Sequence, residues 1–355
     1  MDVIVVGGGV MGASVAYQLA LRGRRCVVLE AETLAHGASG NAAGLVSPPR
    51  DGGSLGSEDP ATAAAWFDMR KTTFEMHQEL AETLPEQAGM DYGWTVKPSI
   101  GVAITEEEEG RARRELASME AMGIPASWLT PAEIRAACPT FDGERIRGGV
   151  LSADPGTHPL IPAAHAAPHS QSLCSDFCGA QVEPALFTTA LMRAAERLAG
   201  ATIREGCRVA GLLPADGGEM PGVVLESGEK ILGESVVLTM GPWAADAQPW
   251  LGTALPVTPL KGQILRYAPS DPAAKTHRAY RYEGHFYIGP QENGEVWVGT
   301  TEETVGFATH TTAAAVEHIS ELTEQISPSL VNADVVKQTA VRTRVMLRVH
   351  GTSNR

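Results

Sequence analysis

The chain opens on an unbroken apolar run, Val3-Ile4-Val5-Val6, the pattern of a strand covered on both faces. Helical spacing follows over residues 13–22, with Val15 and Leu19 four apart and Ala16 and Ala20 beside them. A second apolar run, Cys26-Val27-Val28-Leu29, stops at Glu30, with Ala31 after it. Between the first strand and the helix lies Gly7-Gly8-Gly9-Val10-Met11-Gly12, a G-x-G-x-x-G turn. The order strand, glycine turn, helix, strand, acid is the layout of a dinucleotide-binding unit. Gly7 permits the tight turn, Gly9 removes the Cβ that would hold a pyrophosphate off the backbone, and Gly12 lets helix and strand pack closely. The helix N-terminus then offers free N–H groups to the phosphates. Glu30, 18 residues past Gly12, is placed to accept hydrogen bonds from ribose hydroxyls, which makes NADP the least suited ligand. A chance glycine turn is the alternative.

The pattern further along predicts a mixed chain. Helices are expected over residues 59–86, 106–122, 184–198 and 311–326, and strands over 99–105, 148–153, 201–209, 222–225 and 235–238. Trp66, Met69, Phe74 and Leu80 recur at roughly helical intervals and read as core, as do Leu186, Ala190, Leu191, Ala194 and Leu198. Thr130-Pro131-Ala132-Glu133 reads as a capped helix start. The aromatic, alternating segments 286–290 and 295–299 read as antiparallel strands.

Residues 158–179 break the pattern: they are rich in Pro, Ala and Ser and hold His158, His165 and His169 without periodicity. A stretch of that length without structure is uncommon inside a compact domain, so it reads as an inserted, mobile loop. No three of its ligating residues share a face, which disfavours a metal site.

Composition narrows the class. A chain of 355 residues is long enough for two domains. Its net charge of −14 argues against a nucleic-acid partner and against adsorption to acidic lipid. No apolar run reaches the roughly 18 residues of a spanning helix. The five cysteines are scattered, and the first strand begins at Asp2 with no leader-like segment before it. Together these features lead us to expect a cytoplasmic protein.

Past Glu30 the chain runs Gly37-Ala38-Ser39-Gly40-Asn41-Ala42-Ala43-Gly44, small residues unsuited to a helix interior. They form either a flexible surface loop or a bed on which a flat group lies against the main chain. With the glycine turn and the acid, this Ala-Ser-Gly-x-Ala-Ala-Gly segment resembles the D-amino-acid-oxidase-type FAD oxidoreductases, and most of all the glycine oxidase and sarcosine-oxidase-like members. Three later blocks carry the same resemblance: Thr239-Met240-Gly241-Pro242-Trp243, Pro259-Leu260-Lys261-Gly262-Gln263, and Val298-Gly299-Thr300-Thr301-Glu302-Glu303.

The resemblance implies an α/β protein, with a Rossmann-like FAD-binding domain (1–90, 147–254 and 332–355, with 158–179 inserted) and a discontinuous, largely antiparallel α+β substrate domain (91–146 and 255–331). It implies non-covalent FAD held by Gly7, Gly9, Val10, Met11, Gly12, Glu30, Ala31, Ser39, Gly40, Asn41, Ala42, Ala43, Gly44, Val209, Thr239, Gly241 and Trp243. It implies a small amino acid or secondary amine as substrate, bound by Arg342 and Tyr287 and oxidised by hydride transfer to the flavin, then imine hydrolysis. No separate catalytic base and no metal are expected. Tyr287 reads equally well as a sheet tyrosine with its hydroxyl at the surface. The family's closing glycine-rich segment and final helix have no counterpart before Arg355, so an inactive nucleotide-binding module is the alternative. A dehydrogenase using NAD is a third reading, which the 39–44 loop and the Pro259–Gln263 block oppose.

Overall fold

The computed structural model describes residues 2–46, 60–96, 98–121, 126–152, 179–214, 221–269, 278–281, 286–291, 293–331 and 335–347; it excludes the side chains of residues 60, 63, 278, 281 and 335–347. The 158–179 segment, with its three histidines, Cys174 and Cys178, lies outside the described residues except for Gly179.

In chain order the strands are β1 (Val3–Val6), β2 (Cys26–Leu29), β3 (Leu45–Val46), β4 (Thr95–Val96), β5 (Ser99–Ala103), β6 (Ala126–Leu129), β7 (Gly148–Ser152), β8 (Ala180–Gln181) and β9 (Thr202–Arg204). They continue with β10 (Val209–Leu213), β11 (Gly222–Leu225), β12 (Lys230–Leu232), β13 (Ser235–Leu238), β14 (Val257–Tyr267), β15 (Arg278–Arg281), β16 (Tyr287–Pro290), β17 (Val296–Gly299) and β18 (Val335–Leu347).

β1 is central in a parallel sheet of order β13-β1-β2-β9, with Val3 opposite both Ser235 and Cys26. Its apolar run is continuous because both faces are covered. Val3, Val5, Cys26 and Val28 pack with the helices Val10–Ala20 and Pro184–Ala199 and the end of Pro60–Ala88. Ile4, Val6, Val27 and Leu29, one step along each strand and therefore on the other face, pack on the three-stranded antiparallel sheet β10-β11-β12 through Val209, Val223 and Leu225. β1 thus ends with its C-terminal edge between two layers, where open α/β sheets bind ligands.

The larger sheet has the order β18-β14-β17-β16-β15-β5-β7-β6. Its pairs are antiparallel except for β15 with β5. One face carries a core of Ile100, Val102, Leu265, Ile288 and Val298 under the helices Pro131–Ala137 and Ala313–Ile326. Residues of the other face, Ala103 and Val150, pack against Ala112 and Met119 of helix Glu106–Ala121. The capping box at Thr130 is present: Thr130 Oγ1 accepts from the Glu133 N–H, and Glu133 Oε2 accepts from the Thr130 N–H at 2.8 Å. Among the described residues no helix is long and apolar enough to cross a membrane.

Four expectations shift. β7 and β18, expected with the dinucleotide half, hydrogen-bond into the larger sheet, β7 between β5 and β6 and β18 along β14. Strand length decides this for β18, which matches most of the 11-residue β14. The expected strand 201–209 is two strands. After β9 the chain turns at Gly206 (φ +63°), donating the Gly206 N–H to Glu32 O and the Cys207 N–H to Glu30 O, and passes into the three-stranded sheet. On helix Pro184–Ala199 the buried stripe runs through Phe187, Ala190, Leu191 and Ala194, leaving Leu186 and Leu198 exposed. The helix packs on two others, so its docked face is centred between them rather than on the simple i, i+4 line through Leu186. Trp66 and Met69 are likewise exposed, whereas Phe74 is buried. Only the second half of that helix reaches the described core.

Candidate functional site

The glycine turn is held from three sides. Gly7 has φ +112°, a conformation open to glycine, and donates its N–H to Leu29 O at 2.8 Å. Thr239, at the end of β13, donates its N–H to Val6 O at 2.8 Å, and its hydroxyl lies 2.9 Å from Val6 O and 3.1 Å from Gly7 O. The Thr239 hydroxyl thus clamps the end of β1 to the glycine turn. Glu30 is fixed by two backbone donors, Gly8 N–H on Oε2 at 2.6 Å and Glu32 N–H on Oε1 at 2.8 Å. Both carboxylate oxygens are oriented while their remaining lone pairs stay available to a ligand.

The helix beginning at Val10 has no side-chain cap from Gly9 and no acid in its first turn, so its N-terminus keeps its positive end toward the turn. The Val10 N–H donates to Ser39 Oγ at 2.9 Å, which ties the small-residue loop to this helix end. A Cβ on Gly9 would meet only that hydroxyl within 4 Å; the rest of its surroundings are open.

A cleft of about 810 Å³ follows from this arrangement. Of the residues singled out in the sequence, Gly7, Gly9, Val10, Met11, Glu30, Ala31, Ser39, Val209, Thr239, Gly241 and Trp243 line it. A second cavity of about 690 Å³ is lined by Ala42, Ala43, Gly44 and Tyr287. It shares Val10, Ala38 and Ser39 with the first, so the two meet beside the helix N-terminus. Gly12, Gly40 and Asn41 line neither. Gly12 lies under Gly7 O, Gly40 lies against Ala35 O, and the Asn41 amide donates to His36 O and Gly37 O. These three shape the turn and the loop. Arg342 is placed by its backbone alone, opposite Gly262 of β14, and Gly262 lines the second cavity.

Sequence reasoning missed much of the walls. Cys207, Arg208, Glu226 and Trp250 line the first cleft, and Phe187, Lys261, Tyr280, Phe286 and Thr301 line the second. Parallel pairing of β13 with β1 and the turn after β9 bring the first group in, and neither leaves a local signal. Lys261 did have one, within the Pro259–Gln263 block.

Lys261 and Gln263 belong to a buried polar network. Lys261 is 1% exposed; its Nζ donates to His310 O at 2.6 Å and lies 3.9 Å from Glu303 Oε2. Gln263, fully buried, donates from Nε2 to Glu303 Oε1 at 2.6 Å and accepts the Thr312 N–H on Oε1 at 2.9 Å. Thr301 Oγ1 also donates to Glu303 Oε1. Burial works to raise the Glu303 carboxyl, but the Thr301 and Gln263 hydrogen bonds and the nearby Lys261 charge hold it below the ordinary value. A depressed folded-state value means that the carboxylate stabilises the fold above the unfolded-state range near pH 4.5, and that this is lost as pH falls through the folded value. Glu303→Gln should therefore lower stability by about 1.5–3 kcal/mol at pH 7, the range for hydrogen bonds to a charged group. Its deficit against the parent should shrink as the pH drops toward 3, which denaturant titrations at several pH values would measure. An unchanged deficit would remove the carboxylate from this account.

The first cleft offers helix N–H groups for phosphate, a fixed carboxylate for a diol, apolar walls from Val6, Leu29 and Val209, and a bed of small residues leading into the second cavity. That donor set and shape fit FAD. The family model for FAD dependent oxidoreductases, DAO, matches residues 2–167 and 161–352. The glycine oxidase of Geobacillus kaustophilus is 27% identical over 336 residues, covering 94% of this chain and 79% of that protein. Its crystal structure superposes with a TM-score of 0.78 at 26% identity, covering 98% and 83% of the two chains. The L-alpha-glycerophosphate oxidase of Mycoplasma pneumoniae, solved with FAD bound, shares the fold at a TM-score of 0.73 and 15% identity, covering 98% of this chain and 84% of that one. The cleft, its acid and the family match make this chain an FAD-dependent enzyme, a member of the DAO family of FAD-dependent oxidoreductases and most like glycine oxidase.

Proposed function

We propose that the enzyme oxidises the C–N bond of a small amino acid or secondary amine, with FAD along the first cleft and the substrate in the second cavity. The observation that carries this reading is the junction at Val10, Ala38 and Ser39, where a ligand lying on the glycine turn passes into the second cavity. The relatives named glycine oxidase supply the substrate class.

Bound FAD supplies a two-electron acceptor. The protein's part is to bind, orient and exclude water. Glu30 would hold the ribose, the N-terminal turn at Val10 and Met11 would face the pyrophosphate, and Ala42, Ala43 and Gly44 would let the ring system approach the main chain. Gly44 has φ +70°, and a Cβ there would lie 1.9 Å from Val182 O, so this position takes no side chain and the loop packs closely on Val182. Phe187, Phe286 and Leu45 give the second cavity a dry wall. We assign the substrate carboxylate to Arg342, whose strand position faces Gly262 of the second cavity, with Tyr287 in the lining of that cavity. A neutral amine needs no further base, and the imine hydrolyses after release. FAD is held without a covalent bond, so acid precipitation should leave all flavin in the supernatant.

Anaerobic addition of glycine, sarcosine, proline and D-amino acids to the yellow holoenzyme tests the reading. Bleaching by at least one is expected, and no bleaching by any amine or amino acid would overturn it. Arg342→Ala should raise KM for the bleaching amino acid by roughly 10- to 100-fold, the loss of a charge-assisted pair. Steady-state kinetics that showed KM unmoved would remove Arg342 from the site.

A further inference from the structure

Phe307 is 45% exposed, yet its ring stacks on Trp243 with centroids 5.3 Å apart and planes 19° from parallel. Trp243 belongs to the wall of the first cleft. Its indole also fills the space where a Cβ on Gly37 would lie, 3.3 Å from Cζ3. One edge of the indole is therefore set by Gly37 and one face by Phe307.

Phe307 does not reach Trp243 on a loose loop. The segment that carries it leaves β17, runs from 300 to 312 and is pinned at both ends to the same two residues of β14, Lys261 and Gln263. At its near end Glu303 exchanges two backbone hydrogen bonds with Lys261, at 2.9 and 2.8 Å. At its far end Lys261 Nζ holds His310 O and the Gln263 amide holds the Thr312 N–H. The Gln263 amide spans both ends, since its Nε2 also reaches Glu303. Two buried side chains, Lys261 and Gln263, thus fix the base of a short excursion whose tip is Phe307. Such a base turns an exposed aromatic tip into a fixed post.

We propose that Phe307 is a positioning residue for the cofactor: it holds Trp243 in place as a wall of the FAD cleft and so tightens binding of FAD. The contact joins a segment of the larger sheet to the wall of the dinucleotide cleft, so cofactor retention depends on a residue outside the nucleotide-binding sheet. This rests on FAD occupying the first cleft.

An offset aromatic pair is worth a few-fold in affinity. Apoprotein stripped of flavin would be titrated with FAD, following flavin fluorescence, for the parent, Phe307→Ala, Phe307→Tyr and Glu30→Ala. Thermal midpoints of the apo and holo forms would be read alongside. The expected result is an FAD Kd raised roughly two- to tenfold in Phe307→Ala and restored to within about twofold by Phe307→Tyr, which keeps the ring. The apo midpoint of Phe307→Ala should stay at the parent's while the gain on adding FAD shrinks. An unchanged Kd, or apo and holo midpoints falling together, would overturn the proposal. If Glu30→Ala lost FAD while Phe307→Ala did not, the clasp alone would fail. If Glu30→Ala bound FAD as tightly as the parent, the placement of FAD in this cleft would fail first.

Discussion

Glu30→Ala is expected to cost the enzyme its FAD at ordinary micromolar concentrations. The carboxylate is already oriented by Gly8 N–H and Glu32 N–H, so it accepts from ribose hydroxyls without a further ordering cost. Two hydrogen bonds to a charged acceptor are worth about 1.5–3 kcal/mol each, and the loss should weaken FAD by roughly 10²- to 10⁴-fold. Glu30→Gln is a sharper test than it looks. Both carboxylate oxygens face an N–H, at 2.6 and 2.8 Å, and an amide can present oxygen to only one of them. Its NH₂ would confront the other donor, so the glutamine variant should lose most of what the alanine variant loses. Equilibrium titration of the apoproteins reads both, and a glutamine variant with parental affinity would show that the two backbone contacts do not orient the acid.

The turn was legible in sequence because everything that makes it is local. Strand, glycines, helix and acid fall between Val3 and Glu30, and the structure keeps that order with β1, the helix Val10–Ala20 and β2. The small-residue loop was legible for the same reason: composition alone excluded a helix there, and Ala42 to Gly44 do line the second cavity. What sequence could not supply was convergence. Arg208 and Trp250 reach the first cleft only because β9 turns at Gly206 and β13 pairs with β1. Periodicity also misplaced the edges of amphipathic faces. Trp66 and Leu186 fall on helical spacing and are exposed, since spacing reports a stripe but not how much of it a neighbour covers. Gln263 was visible as a motif residue, but its role depends on Glu303 and Thr312, some 40 to 49 residues away. The placement of β18 was not legible at all, because its alternation suits an edge of either sheet.

Gly12→Ala sets two effects of opposite sign against each other, and their sizes decide the outcome. Gly12 lies in the first turn of the helix Val10–Ala20, where alanine is the better helix former by up to about 1 kcal/mol. Against this, the added Cβ would sit 2.0 Å from Gly7 O and 2.9 Å from Thr239 Oγ1. Gly7 cannot retreat: its N–H is bonded to Leu29 O, and its carbonyl lies under the Thr239 hydroxyl. Relief requires lifting the helix by more than an ångström off β1, which opens the contact of Ala13, Ala16 and Tyr17 with the core beneath. Overpacking typically costs roughly 1–3 kcal/mol, and a 2.0 Å approach to a pinned carbonyl belongs at the top of that range, above the propensity gain. The thermal midpoint should therefore fall by roughly 5–10 °C, with FAD affinity falling as the helix N-terminus moves. Gly23→Ala is the control. Gly23 also ends this helix region but has open space around its Cβ position and φ +67°, so it should lose only the about 1–2 kcal/mol of a left-handed alanine and keep FAD. Calorimetry on both variants separates crowding from backbone strain, and a Gly12→Ala midpoint at or above the parent's would mean that the helix–strand contact is not closed by this glycine.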